Sequence, residues 1–117
     1  MTTLAQMKLD TTSFLDRWGE SMTRQRATTT YDSEGKSVIT WTTNTATISG
    51  DYQPLTGADM RAESGRTDKS DAKIFAAFDV SVLAGDRILR GGVYWDVNYI
   101  RDHEDHVFIF IRKLRNG

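Results

Sequence analysis

From Met22 onward threonine becomes dense, at positions 23, 28, 29, 30, 40, 42, 43, 45 and 47. A β-branched side chain loses rotamer freedom in a helix but packs well on a half-buried pleated surface. This feature directs the first half of the chain towards sheet. Tyr31-Asp32-Ser33-Glu34-Gly35-Lys36 is turn chemistry between two such runs, so Thr23–Tyr31 and Ser37–Trp41 are expected to pair as a hairpin. A further strand is expected from about Thr45 to Leu55, interrupted by Ser49-Gly50-Asp51.

The last third carries the strongest strand signal. Over Lys73–Val80, residues Ile74, Ala76, Phe78 and Val80 alternate with Phe75, Ala77 and Asp79. Gly85-Asp86 reads as a turn before a short strand, Asp86–Leu89, and Gly91-Gly92 as a hairpin turn. Val93–Ile100 places Val93, Trp95, Val97 and Tyr99 against Tyr94, Asp96 and Asn98. Asp102 to Asp105 is a polar turn, and Val107–Leu114 closes the series. In this last strand Phe108 and Phe110 share one face and Val107, Ile109 and Ile111 the other. A strand apolar on both faces is central, or keeps one face for a partner. The strand and turn spacing predicts a mainly β chain, a small barrel or sandwich.

Two segments fall outside the strands. Residues 1–20 are the helix candidate, with Leu15, Trp18 and Met22 at helical spacing, a weak capping box in Ser13 and Asp16, and Gly19 as its stop. Thr56 to Asp71 is polar, with no hydrophobic period and charges of alternating sign. A run this long without structure is uncommon in a compact domain and is usually functional or disordered; Ala58 to Glu63 could form a helical turn or two. Its charges suit either a solvated loop or a segment that orders against a neighbouring subunit. The expected organisation is one domain over 1–117: a helical segment at 1–20, strands over 22–55 and 73–114, and the polar loop 56–71.

Motifs for chemistry are sparse. The chain has no cysteine, which excludes disulfides and thiol catalysis. Neither phosphate-binding glycine motif is present. His103 and His106, with Asp102, Glu104 and Asp105, offer metal-ligand types, but at a turn where side chains splay outward. The carboxylates give no sign of a paired acid–base cleft. A net charge of −1 argues against tight duplex-DNA binding, which draws its affinity from phosphate neutralisation. Met1 to Asp10 contains no apolar run, so no signal peptide is expected. The longest apolar stretch, Val107 to Ile111, is far below the roughly 20 residues of a spanning helix.

The order of features is informative where single motifs are weak. Phe14-Leu15-Asp16-Arg17-Trp18-Gly19-Glu20 is followed by a strand with Arg26, then by Trp41 and Gly50-Asp51-Tyr52-Gln53-Pro54-Leu55-Thr56-Gly57. After the polar loop come Lys73-Ile74-Phe75, Ala84-Gly85-Asp86-Arg87-Ile88, Gly92-Val93-Tyr94-Trp95-Asp96-Val97 and a final apolar strand. Over about residues 12–114 this resembles the head-closure, or head–tail joining, proteins of long-tailed bacteriophages and their prophage relatives.

The resemblance implies a small β-barrel with a long inter-strand loop and a short N-terminal helix. It implies a structural virion protein of the neck, made in the host cytoplasm and monomeric when free. In the particle it would form a ring of roughly six or twelve copies with heterologous contacts, below the portal and adaptor and above the tail or tail-completion proteins. That ring encloses double-stranded DNA without reading its sequence, closes the head after packaging and offers the tail a surface. No catalytic residue, cofactor, metal or membrane is implied. The loop would supply subunit or channel contacts through Asp59, Met60, Arg61, Glu63, Arg66, Asp68, Lys69 and Asp71. The alternatives are a tail-terminator or tail-completion protein, and a free-standing module for a peptide or single-stranded nucleic acid. The last would use Tyr94, Tyr99, Phe108 and Phe110 beside Arg101 and Arg112.

Overall fold

The computed structural model describes residues 14–15, 17, 19–65 and 69–114. Six strands carry the fold: β1 (Glu20–Tyr31), β2 (Ser37–Pro54), β3 (Ala72–Ala77), β4 (Arg87–Arg90), β5 (Val93–Asp102) and β6 (His106–Lys113). One short helix, α1 (Gly57–Ala62), lies between β2 and β3. Every pairing is antiparallel, and the sheet closes on itself in the order β1-β2-β3-β6-β5-β4. The expected mainly β architecture is present.

The inner face of this closed sheet is the core. Met22, Ile48, Ile74, Ile88, Trp95, Val97, Val107, Ile109 and Ile111 form one buried cluster. The alternation read from β6 divides as expected, with Val107, Ile109 and Ile111 pointing inward. Helical spacing had placed Met22 on one face with Leu15. It lies instead on β1, at 3% exposure, because the chain turns from helix to strand at Gly19. There the Gly19 N–H donates to the Leu15 carbonyl at 2.8 Å, after helical Phe14, Leu15 and Arg17. Trp18 and the Ser13–Asp16 capping pair lie outside the described residues.

The interruption expected at Ser49-Gly50-Asp51 does not occur, since β2 runs unbroken through it. A Cβ on Gly50 would sit 2.4 Å from Ile74 Cγ2. Glycine is needed there for close packing of β2 on the β3 side, not for a turn. Gly91-Gly92 is the expected tight hairpin, with positive φ at both residues (57° and 80°), as a turn matched to strand twist requires.

Two irregularities redirect side chains. Between Val97 and Tyr99 the β5–β6 register shifts by one residue at Asn98. Such a bulge reverses the faces beyond it, so Tyr99 leaves the face of Trp95 and Val97 and stacks outside on Phe110. Between Arg26 and Thr28 the β1–β2 register shifts again, setting Trp41, Thr42 and Thr43 opposite Ala27.

Candidate functional site

Two elements extend from the closed sheet: the 56–71 segment and the far half of the β1–β2 hairpin. The first is built from its cap upward. Thr56 caps α1, its hydroxyl accepting from the Asp59 N–H at 3.1 Å, while Asp59 Oδ2 accepts from the Thr56 N–H at 2.9 Å. The reciprocal pair satisfies two helix-end donors. Asp59 is thereby turned inward onto Lys73 of β3, with Nζ–Oδ2 2.8 Å and both side chains 11% exposed. Burial alone would push the Asp59 carboxyl up. The hydrogen bond from Lys73, and then those from Thr56, outweigh it and hold the group below the usual carboxylate range.

Glu63, 2% exposed, is the second anchor. Its carboxylate accepts from the Tyr99 hydroxyl at 2.8 Å and from the Ser70 N–H at 3.0 Å, and Asn98 donates to the Ser70 hydroxyl at 3.1 Å. Asp71 accepts from the Lys113 N–H at 2.9 Å, and its own N–H donates to the Ile111 carbonyl at 2.8 Å. The helical turn or two expected over Ala58 to Glu63 are present as α1, and the segment, expected otherwise as a polar loop, is tied to β3, β5 and β6. Of the eight residues proposed as contacts, Asp59 and Glu63 are spent on these ties, and Asp71 is bonded to the end of β6. Met60, Arg61 and Lys69 face solvent, and Arg66 and Asp68 lie outside the described residues.

The outer aromatics pack on one another and on neighbouring cations, and Tyr99 links them to this segment through Glu63. Phe110 is 1% exposed and stacks on Tyr99 at 4.5 Å and 7°. Arg101 stands 5.4 Å from the Phe110 ring, and Lys73 4.6 Å from the Phe108 ring. Phe75 joins Phe108 at 5.5 Å and Phe14 at 5.6 Å. The second apolar face of β6 is thus largely covered by the chain's own segments, and Phe110 is not open for a base to stack on.

The second element begins at the narrowest junction of the ring. β1 and β4 share three residue pairs, Thr23–Leu89, Arg24–Ile88 and Gln25–Arg87. Just beyond them Arg26 grips Asp86 with two bonds, Nε–Oδ1 3.0 Å and Nη2–Oδ2 2.9 Å, and Asp86 also accepts from the Leu83 N–H at 2.8 Å. The bond to Asp86 raises the Arg26 pKa above its ordinary value, against the opposing effect of burial. The Gly-Asp-Arg-Ile stretch thus closes the ring. The β2 bulge places Trp41 over Arg87, whose guanidinium carbon lies 4.0 Å from the indole and 5.5 Å from the Tyr94 ring.

Past this junction the hairpin continues alone. β1 runs six residues beyond Gln25, about 20 Å at the usual strand rise, and β2 meets β3 only from Gly50. Tyr31, Val38 and Ile39 are 73%, 43% and 61% exposed on this arm. Asp32 shapes its tip, accepting from the Glu34 and Lys36 N–H groups at 2.9 Å. The arm was legible as a hairpin. Its projection was not, because that depends on how soon β4 stops pairing.

No family model matches the chain, and no curated protein resembles it in sequence. A solved structure does resemble it in fold. The solution structure of protein SF1141 from Shigella flexneri 2a, a structural genomics target, aligns with a TM-score of 0.69. Identity is 16%, over 84% of this chain and 94% of that one. At this identity the likeness speaks for the fold alone.

His103 and His106 stack at 4.5 Å and 16°, and His106 Nδ1 pairs with Asp105 at 2.8 Å. Among the described residues no group of three or more His, Cys, Asp or Glu is placed to hold a metal, and no helix is long and apolar enough to cross a membrane.

Proposed function

We infer that the protein is a structural part of a tailed-bacteriophage neck. Its copies form a ring below the portal and adaptor that closes the head after packaging and presents a surface to the tail. The ordered sequence features that resemble head-closure proteins support this, and the closed six-stranded sheet serves as the small β-barrel of that family. The observation that carries the reading is the arm, a two-stranded ribbon that leaves the barrel and is exposed on both faces towards its tip. An isolated hairpin is marginally stable in water, so a chain that builds one has a use for it in an assembly. Met60, Arg61 and Lys69 supply a second exposed strip. The rival reading as a single-stranded nucleic-acid module has less support, since Phe110 is covered and Phe108 lies partly under Lys73.

The test is removal of the gene from the phage or prophage that encodes it. The expected outcome is heads that lose their DNA and tails that remain unattached, restored by supplying the protein in trans. DNA-filled, tailed and infectious particles from the deletion would overturn the reading.

A further inference from the structure

The arm has two open edges. On β1 the open edge runs from Ala27 to Tyr31, beyond Gln25, the last residue paired to β4, and beyond Arg26, which is held by Asp86; on β2 it covers Ser37 to Thr45, since Ala46 to Ser49 face Ala77 and Asp79 to Ser81 and β3 pairing begins at Gly50. The longer edge reads SVITWTTNT, with no charge, proline or glycine. Proteins normally protect such an edge with lysine, proline, a covering loop or a short strand. The bulge at residues 41–43 is the one such device in this arm. The shorter edge, Ala27 to Tyr31, is also uncharged and rich in threonine.

We propose that these two edges are complementary halves of one interface, and that the occupant of each is the arm of a neighbouring copy of this chain. The neutral, β-branched strand that β2 would accept is the one β1 presents. When copies are related by rotation and their arms point the same way, β2 of one copy lies beside β1 of the next and runs opposite to it, so the antiparallel order continues from subunit to subunit. The contact joins two different edges, as ring closure requires, and its main-chain hydrogen bonds act by strand addition. Its length is adequate: three residue pairs hold the β1–β4 junction of the barrel itself, and Ala27 to Tyr31 offers five positions. Tyr31, Val38 and Ile39, on the faces of the ribbon, gain cross-strand neighbours in such a ring. This inference rests on the neck reading for the existence of the ring and adds the surface through which it forms.

The test compares wild type with two variants in complementation of the gene deletion. Thr42→Pro removes a backbone N–H and stiffens the strand at a bulge position that has no β1 partner. Ile39→Lys puts a charge in the neutral edge at an exposed site. Both free proteins are expected to melt within a few degrees of wild type, as surface changes do. Expected results are at least a tenfold loss of each variant from isolated necks and at least tenfold slower amide exchange over residues 38–45 in neck-bound than in free wild type. Cross-links from Lys36 at the arm tip, made in necks with mixed isotope labels, are expected to reach another copy. Wild-type occupancy by both variants, or Lys36 cross-links only to adaptor or tail proteins, overturns the arm pairing while the neck reading stands. Absence of the wild-type protein from isolated necks overturns both.

Discussion

Replacing Asp86 by alanine should weaken the ring at its narrowest junction. The carboxylate is 4% exposed and accepts three hydrogen bonds, two from Arg26 and one from the Leu83 N–H. Removing one partner of a buried ion pair costs about 3–5 kcal/mol, since a charge is left uncompensated. Arg26 keeps 29% exposure, so water compensates part of the loss, and about 2–3 kcal/mol is the expected cost. For a chain of 117 residues, each kcal/mol moves the melting temperature by about 3–5 °C, which gives a drop of roughly 6–15 °C. Thermal unfolding followed by circular dichroism measures it, with Arg26→Met and the double variant completing a cycle. The coupling should be at least about 1.5 kcal/mol, and amide exchange should speed up first at Thr23 to Gln25. A drop below about 3 °C, or single effects that simply add, would refute the assignment of Asp86 as the lock on this junction.

Two further outcomes follow from the packing and the charges. Gly50→Ala should cost about 1–3 kcal/mol through overpacking, because the new methyl meets Ile74 Cγ2 at 2.4 Å and the Phe75 carbonyl at 3.2 Å; an unchanged urea midpoint would show that this contact relaxes freely. Asp59 has its folded pKa below the unfolded value, so the unfolded state binds the proton more tightly and stability rises with pH. The contribution is complete above about pH 4, near the unfolded value, and is lost as pH falls through the folded pKa. Urea midpoints from pH 6 down to pH 2 should fall more steeply for wild type than for Asp59→Asn, and parallel curves would exclude Asp59 as a source of the acid sensitivity.

The strands were readable because their signals are local. Thr-rich runs, the alternation over β5 and β6, and turn residues such as Gly91-Gly92 each specify a few neighbours. Two local signals misled. Gly50 looked like a break because glycine usually punctuates strands, whereas its cause, Ile74, is 24 positions away. Tyr99 followed Val97 in period and was assigned to its face, but the bulge at Asn98 is invisible to a count of two. The anchors were missed for a related reason. Asp59 and Glu63 read as solvated charges or as contacts to a neighbouring subunit, and their partners Lys73 and Tyr99 are brought to them only by the closed sheet. One cue was available: Thr56 three residues before Asp59 has capping-box spacing, which fixes the start of the helical turns read over Ala58 to Glu63 and turns Asp59 back towards the cap. The arm's uncharged edge was likewise present in the sequence, but its meaning depends on β4 being four residues long.

The ties on the 56–71 segment set how it can move. Glu63 accepts from the Tyr99 hydroxyl of β5 and from the Ser70 N–H, and Asp59 in the first turn of α1 accepts from Lys73 of β3. α1 is therefore latched to the closed sheet at both of its ends. It cannot swing away from that wall unless buried, charge-assisted bonds at both carboxylates break together, so any displacement of this helix is an all-or-none event, not a gradual one.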